Sequence, residues 1–208
     1  IEVFDEASDV VVYDVKKHEI VTTAKLFSKD AFETFPTFSP DGKTLYFCTA
    51  PARPIPEEFS EIKYNLCAIG FDPDSRSFGS KVDTLYNAAV SGQSASFPRV
   101  SPDGKYLMYT VSGYGNFSIW HKDADLQMAD LSTGESIPLD ILNSDDVESY
   151  HSWSSNSRWV IFSSRRMDGL YTRPYIAYID EKGNACKPFL LPQKDSGVYD
   201  RFMKSYNI

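Results

Sequence analysis

The segment Ser163-Ser164-Arg165-Arg166-Met167-Asp168-Gly169-Leu170-Tyr171-Thr172-Arg173 concentrates three arginines and a tyrosine. Guanidinium forks suit carboxylates and other planar anions, and aromatic faces suit sugars or peptide side chains. The segment is therefore a candidate binding loop. The competing arrangement is structural, with the arginines lodged against Asp145, Asp146 or Glu148 as a staple. The other residue types that carry chemistry point to less. The histidines are His18, His121 and His151. A metal needs several donors that converge, and His18 falls in a turn at the opposite end of the strands from His121. A set made of His121, His151 and a carboxylate is the one combination left open, and His151 stands where the repeat described below has proline. Gly92-Gln93-Ser94-Ala95-Ser96 lacks the closing glycine of a nucleophile elbow and precedes a strand rather than joining strand to helix, so it reads as a polar loop. The carboxylates Glu57-Glu58, Asp145-Asp146 and Asp123/Asp125 read as solvated loops, since glycosidase chemistry needs two of them held about 5–10 Å apart. No catalytic residue, metal or cofactor is expected.

The elements that must position these residues form a repeat. Phe35-Pro36-Thr37-Phe38-Ser39-Pro40-Asp41-Gly42-Lys43 leads into Leu45-Tyr46-Phe47, and Phe97-Pro98-Arg99-Val100-Ser101-Pro102-Asp103-Gly104-Lys105 leads into Leu107-Met108-Tyr109. A degraded copy, Tyr150-His151-Ser152-Trp153-Ser154-Ser155-Asn156-Ser157-Arg158, leads into Val160-Ile161-Phe162. Each is a hairpin: proline presets its φ, aspartate bonds the nearby backbone, and glycine takes the left-handed position. Asn156-Ser157 lacks that glycine, so a different register is expected for the third turn. A further strand follows each hairpin (Asn65–Gly70, Asp125–Asp130, Tyr175–Asp180), and Asp9–Asp14 is its counterpart near the start. Short turns after these strands lead to a last strand, for example Ile20 to Phe27 and Ser136 to Leu142. Each repeat thus has four strands, A to D.

Strands B and C are nearly continuous apolar runs, which implies cover on both faces. Four-stranded sheets recurring every ~50–60 residues predict an all-β chain, a β-propeller of four-stranded antiparallel blades. About three and a half blades are present: a partial one over 8–27 and three over about 35–89, 97–142 and 150–192, in a single domain spanning 1–208. That is an incomplete or open ring, to be completed by missing chain or by an oligomer. In an antiparallel blade the A–B and C–D turns share one face, and here they are short. The B–C connections (about 50–63, 111–124 and 164–173) share the other face and are long and irregular, as binding loops on a rigid scaffold usually are. The binding site is therefore expected there, from Arg53, Trp120, His121, Arg165, Arg166, Tyr171 and Arg173, with the arginines of 165–173 well exposed.

At Phe-Pro-x-x-Ser-Pro-Asp-Gly-Lys the chain resembles the TolB-type propeller repeat, a WD-like repeat of bacterial envelope proteins. The resemblance covers nearly the whole chain and implies a periplasmic, secreted or envelope-associated protein. Blades of this type serve scaffolds, peptidase accessory domains and some lyases, so the fold does not fix the activity. The expectation is a non-enzymatic binding or scaffolding module with a protein, peptide or glycan partner. The alternative is an enzyme, or an enzyme-accessory domain, acting on carbohydrate or peptide. Composition agrees with a globular strand-rich chain: 42% hydrophobic, 14% aromatic and 24% charged residues. A net charge of −8 repels a phosphate backbone and argues against a nucleic-acid partner. No run approaches the ~18 apolar residues of a membrane helix. The chain begins at Ile1 with neither Met nor a signal peptide, as expected of a trimmed piece of something longer. Cys48 and Cys67 fall on strands expected to be neighbours, which leaves open either one bridge between them or, with Cys186, three buried thiols.

Overall fold

The computed structural model describes residues 3–195 and 197–201. Among the described residues fourteen strands form four antiparallel sheets. The first sheet is a ribbon of β1 (Val12–Asp14) and β2 (Glu19–Val21). The second has the order β3-β4-β5-β6, from β3 (Ala31–Phe38), β4 (Thr44–Pro51), β5 (Asn65–Asp72) and β6 (Ser77–Tyr86). The third contains β7 (Ser94–Val100), β8 (Tyr106–Ser112), β9 (Asp125–Asp130) and β10 (Ser136–Ile137) in sequential order. The fourth contains β11 (Glu148–Trp153), β12 (Trp159–Ser164), β13 (Arg173–Tyr178) and β14 (Phe189–Leu190), again sequentially. This is the fold of an incomplete β-propeller: three four-stranded blades, and strands C and D of another.

The A–B hairpins repeat atom for atom. Gly42 and Gly104 adopt φ of 71° and 75°, and each aspartate holds the turn shut through its side chain. Ser39 Oγ donates to Asp41 Oδ1 at 2.6 Å, and Ser101 Oγ to Asp103 Oδ1 at 2.6 Å. The third copy keeps this register, contrary to expectation. Asn156 Oδ1 accepts from Ser154 Oγ at 2.7 Å and from the Arg158 N–H at 3.1 Å, as the aspartates do in their turns. Ser157 takes the glycine position at φ 59°, its Oγ accepting the Asp103 N–H at 2.9 Å. A feature not evident from sequence sits one strand earlier. Phe35, Phe97 and Tyr150 all have positive φ (50°, 52° and 49°). The pairing of β3 with β4 and of β11 with β12 shifts register there, so the aromatic anchor of the repeat marks a β-bulge. The last strands β2 and β10 are shorter than expected, while β6 runs for ten residues. Pro138, lacking an N–H, follows directly on β10, and β2 gives way to a turn in which the Leu26 N–H bonds Thr23 O at 2.9 Å.

The chain divides into two compact units, Ile1–Pro98 with Tyr114–Phe117, and Arg99–Gly113 with Ser118–Ile208. In the first, Leu45, Phe47, Cys67 and Ile69 present one face of the β4–β5 pair to Val10 and Leu26. In the second, Tyr106, Met108, Leu126 and Met128 of β8 and β9 pack on Val160, Phe162, Tyr175 and Ala177 of β12 and β13. Every residue of β8 is buried, which is why its sequence does not alternate. The cysteines are free thiols, Cys48 and Cys67 buried and Cys186 exposed. Register explains why the first two are not bridged. Cys67 pairs with Phe47 while Cys48 pairs with Leu66, so the two thiols leave opposite faces of the sheet.

Candidate functional site

The segment between β12 and β13 is built around Asp168. Its Oδ1 accepts the N–H groups of Leu170 and Tyr171 at 2.9 Å each, and the Gly169 N–H returns to Arg165 O at 2.9 Å with Gly169 at φ 67°. The resulting tight turn sends its three arginines to different tasks. Arg173 is 4% exposed and pairs with Asp168 Oδ2 at 2.8 Å. Arg166 Nη2 pairs with Glu148 Oε1 at 2.9 Å and donates to Leu142 O, while its Nε donates to Ser164 Oγ at 2.9 Å. Its guanidinium lies 4.6 Å from the Tyr175 ring centre. Glu148 is fully buried, and its carboxylate also accepts from Ser144 N–H, Ser144 Oγ and Ser164 Oγ at 2.7–2.8 Å. Burial raises its pKa, with these bonds and Arg166 opposing the shift.

Arg165 is different. It is 7% exposed, its guanidinium carbon lies 4.1 Å over the Trp120 ring, and its Nε donates to Thr172 Oγ1 at 3.2 Å. Its Nη2 has no hydrogen-bond partner. Burial lowers its pKa, and Asp146 counteracts that in part. The expectation that the arginines of this loop stand well exposed therefore fails for all three: Arg165 and Arg173 are buried, and the Arg166 side chain is 18% exposed against Glu148. A guanidinium at the root of the loop is drawn under it, because aromatic rings, hydroxyls and carbonyls there replace water. Tyr171 is half-buried beneath the Arg173 guanidinium, 5.6 Å from ring centre to carbon. Trp120 and His121 are half-buried too. They end a single helical turn, Ser118–Trp120, which the His121 N–H closes on Ser118 O at 2.9 Å. The structure thus joins Arg165 to Trp120 and uses Arg166 and Arg173 as braces. Arg53, in the other unit, is exposed and paired with Glu58 at 2.8 Å.

The remaining candidates resolve into structural roles. His151 is buried, and its Nε2–H donates to Met108 O at 3.0 Å; burial pushes its pKa down to about 3. His18 bonds Tyr13 Oη at 2.8 Å in an exposed turn. Ser94 is fully buried, with its Oγ accepting the Tyr64 N–H at 2.9 Å and donating to Gly115 O. Among the described residues no three metal-ligating side chains converge. Asp125 is pushed up to about 6 by burial, then by Glu148, Asp123 and Asp140.

One residue escaped sequence analysis. Glu33 is 2% exposed, and its Oε2 has no hydrogen-bond partner. Burial, reinforced by Asp9, raises its pKa to about 7. The available signal was its place in the repeat, two residues before the aromatic anchor, where the fourth sheet carries Glu148.

No protein-family model matches the chain, and no curated protein sequence matches it. Solved structures do. The chain is similar to TolB from Acinetobacter baumannii (19% identity, TM-score 0.53), aligning over 85% of its own length and 36% of that protein. It is similar to a puromycin-hydrolyzing peptidase of Mycobacterium tuberculosis (14% identity, TM-score 0.52, 79% of this chain and 24% of that one). A third is hydrazine synthase of Kuenenia stuttgartiensis (17% identity, TM-score 0.51, 84% and 47%). The chain therefore spans less than half the length of each. At these identities the likeness is one of architecture, and in architecture the chain is a TolB-like β-propeller.

Proposed function

We propose that the chain is a non-enzymatic binding or scaffolding propeller of the bacterial cell envelope, holding a protein, peptide or glycan on the face that carries the long B–C loops. The observation that carries this is Arg165. A buried guanidinium over an indole, with one amino group unpartnered, is held ready for an acceptor that the rest of the loop does not supply. A buried donor left unsatisfied costs about 1–3 kcal/mol, and an anionic or carbonyl group of a ligand removes that cost. Trp120 gives it a ring face, with His121 next in the chain; Tyr171 stands against Arg173, and Arg53 belongs to its own B–C loop in the other unit. Arg166 and Arg173 contribute by fixing the loop. The TolB-like architecture supports the envelope location. The exposed apolar face of the β1–β2 ribbon, with Val11, Tyr13, Val15 and Ile20 44–71% exposed, supports completion of the ring by a further blade packed on it.

The test compares capture of envelope components by the wild-type chain, by Trp120→Ala, and by Lys43→Ala on the A–B turn side. Capture lost in Trp120→Ala and kept in Lys43→Ala is expected. Equal capture by Trp120→Ala and wild type refutes the assignment of the face.

A further inference from the structure

Glu33 and Glu148 stand at the same place in their blades, each two residues before the bulged aromatic at positive φ (Phe35 and Tyr150). Glu33 lies opposite Thr49 of β4, as Glu148 lies opposite Ser164 of β12. Both are almost fully buried. Their surroundings differ in one respect. Around Glu148 the position two residues beyond the cross-strand partner is Arg166, which completes the carboxylate's hydrogen bonds at 2.9 Å. Around Glu33 that position is Pro51, which carries no donor, and Glu33 Oε2 is left bare. A second bare atom accompanies it: Ser8 Oγ is buried without a partner, and the Ser8 carbonyl accepts the Glu33 N–H at 3.0 Å. Ser8 also lines a cleft of about 300 Å³ with Asp9, Lys29, Phe32, Ala52 and Arg53, so the cleft reaches Ser8 and Phe32, the hydrogen-bonded and chain neighbours of Glu33, while Glu33 itself lies behind them.

We propose that Glu33 and Ser8 form a receptor for a guanidinium group, an arginine side chain of a bound polypeptide, in the position that Arg166 fills against Glu148. A buried carboxylate is satisfied by a paired cation with hydrogen bonds, and a planar fork meets two oxygens at once. On the cleft side Glu6 and Asp9 add negative charge, which Lys29 and Arg53 at the cleft offset. The site belongs to the N-terminal unit and does not depend on the Arg165 loop.

The probe is N-acetyl-arginine methylamide, added to isotopically labelled chain in mildly alkaline buffer, where the carboxylate is ionised. Saturable amide shifts at Ser8, Phe32 and Glu33 are expected, and Glu33→Gln should weaken the affinity about tenfold or more, since charge-assisted bonds are the strong ones. Pro51→Arg supplies the missing fork within the chain. It should raise Tm by about 2–4 °C and abolish the shifts. Trp120→Ala should bind the probe as wild type does, which keeps this site separate from the B–C face reading. No saturable shift in wild type, or Glu33→Gln or Pro51→Arg binding with wild-type affinity, overturns the proposal.

Discussion

Glu148 and Arg166 show what a buried charge requires: four donors surround the carboxylate, and the cation is itself held by a carbonyl and a hydroxyl. Removing the cation alone leaves that carboxylate uncompensated, which costs about 3–5 kcal/mol for a fully buried pair. Because the Arg166 side chain keeps 18% of its exposure, Arg166→Ala should cost about 2–4 kcal/mol in urea unfolding. Adding Glu148→Gln should recover part of that loss; a double variant no more stable than the single one counts against an electrostatic origin. Glu33 has no such partner, and its folded pKa of about 7 lies above the unfolded carboxylate value. The folded chain thus holds a proton that the unfolded chain has released between roughly pH 4.5 and 7. Stability from this group is full below that window and is lost as pH rises through it. Glu33→Gln should remove this slope, so its advantage over wild type grows by about 1–3 kcal/mol from roughly pH 5 to pH 8. Parallel pH profiles for the two chains contradict it.

The hairpin is the element on which the repeat depends. Serine, aspartate and glycine each have one task in it: Ser39 and Ser101 accept from Thr44 and Tyr106 N–H at 3.0 Å, the aspartates accept the serine hydroxyls, and the glycines turn the chain. A Cβ at Gly42 or Gly104 would meet nothing within 4 Å, so backbone strain alone sets the cost of substitution. Gly42→Val and Gly104→Val should each lose about 1–2 kcal/mol by thermal unfolding, because a β-branched residue resists positive φ. Unchanged melting temperatures would falsify the turn assignment. The C–D turns carry a second recurring device. Asp14, Asp72, Asp130 and Asp180 each accept backbone N–H groups two to four residues on, at 2.7–3.4 Å. These bonds are the foremost cause holding Asp14 below the usual carboxylate range. At Asp72, Asp130 and Asp180 bonds from Ser75, Ser132 and Asn184 side chains lead.

At the scale of the molecule, stability rests on sheet faces packed within each unit. Phe162 is completely buried between the third and fourth sheets, and Phe47 is 1% exposed in the first unit. Phe162→Ala and Phe47→Ala should each cost about 3–5 kcal/mol, read as a drop in urea midpoint without a change in slope. A loss under 1 kcal/mol in either would mean the site collapses freely and does not hold a packed core.

Blade composition, strand order and the Pro-Asp-Gly hairpins were determined by the sequence alone, because period-specific apolar runs and turn residues act through neighbours in the chain. The register of the Asn156-Ser157 turn was misjudged, since an asparagine oxygen replaces a carboxylate oxygen in hydrogen bonding even though the glycine signal is missing. The separation of Cys48 from Cys67 needed pairing register, because a one-residue offset turns side chains to opposite faces. The division of labour among Arg165, Arg166 and Arg173 was decided only by tertiary structure. Three guanidinium groups close together in sequence differ in what packs against them: the Trp120 ring, the Glu148 carboxylate and the Asp168 turn. The orphaned oxygen of Glu33 is of the same kind, because the absence of a partner is a property of space around a residue and leaves no mark in its own segment.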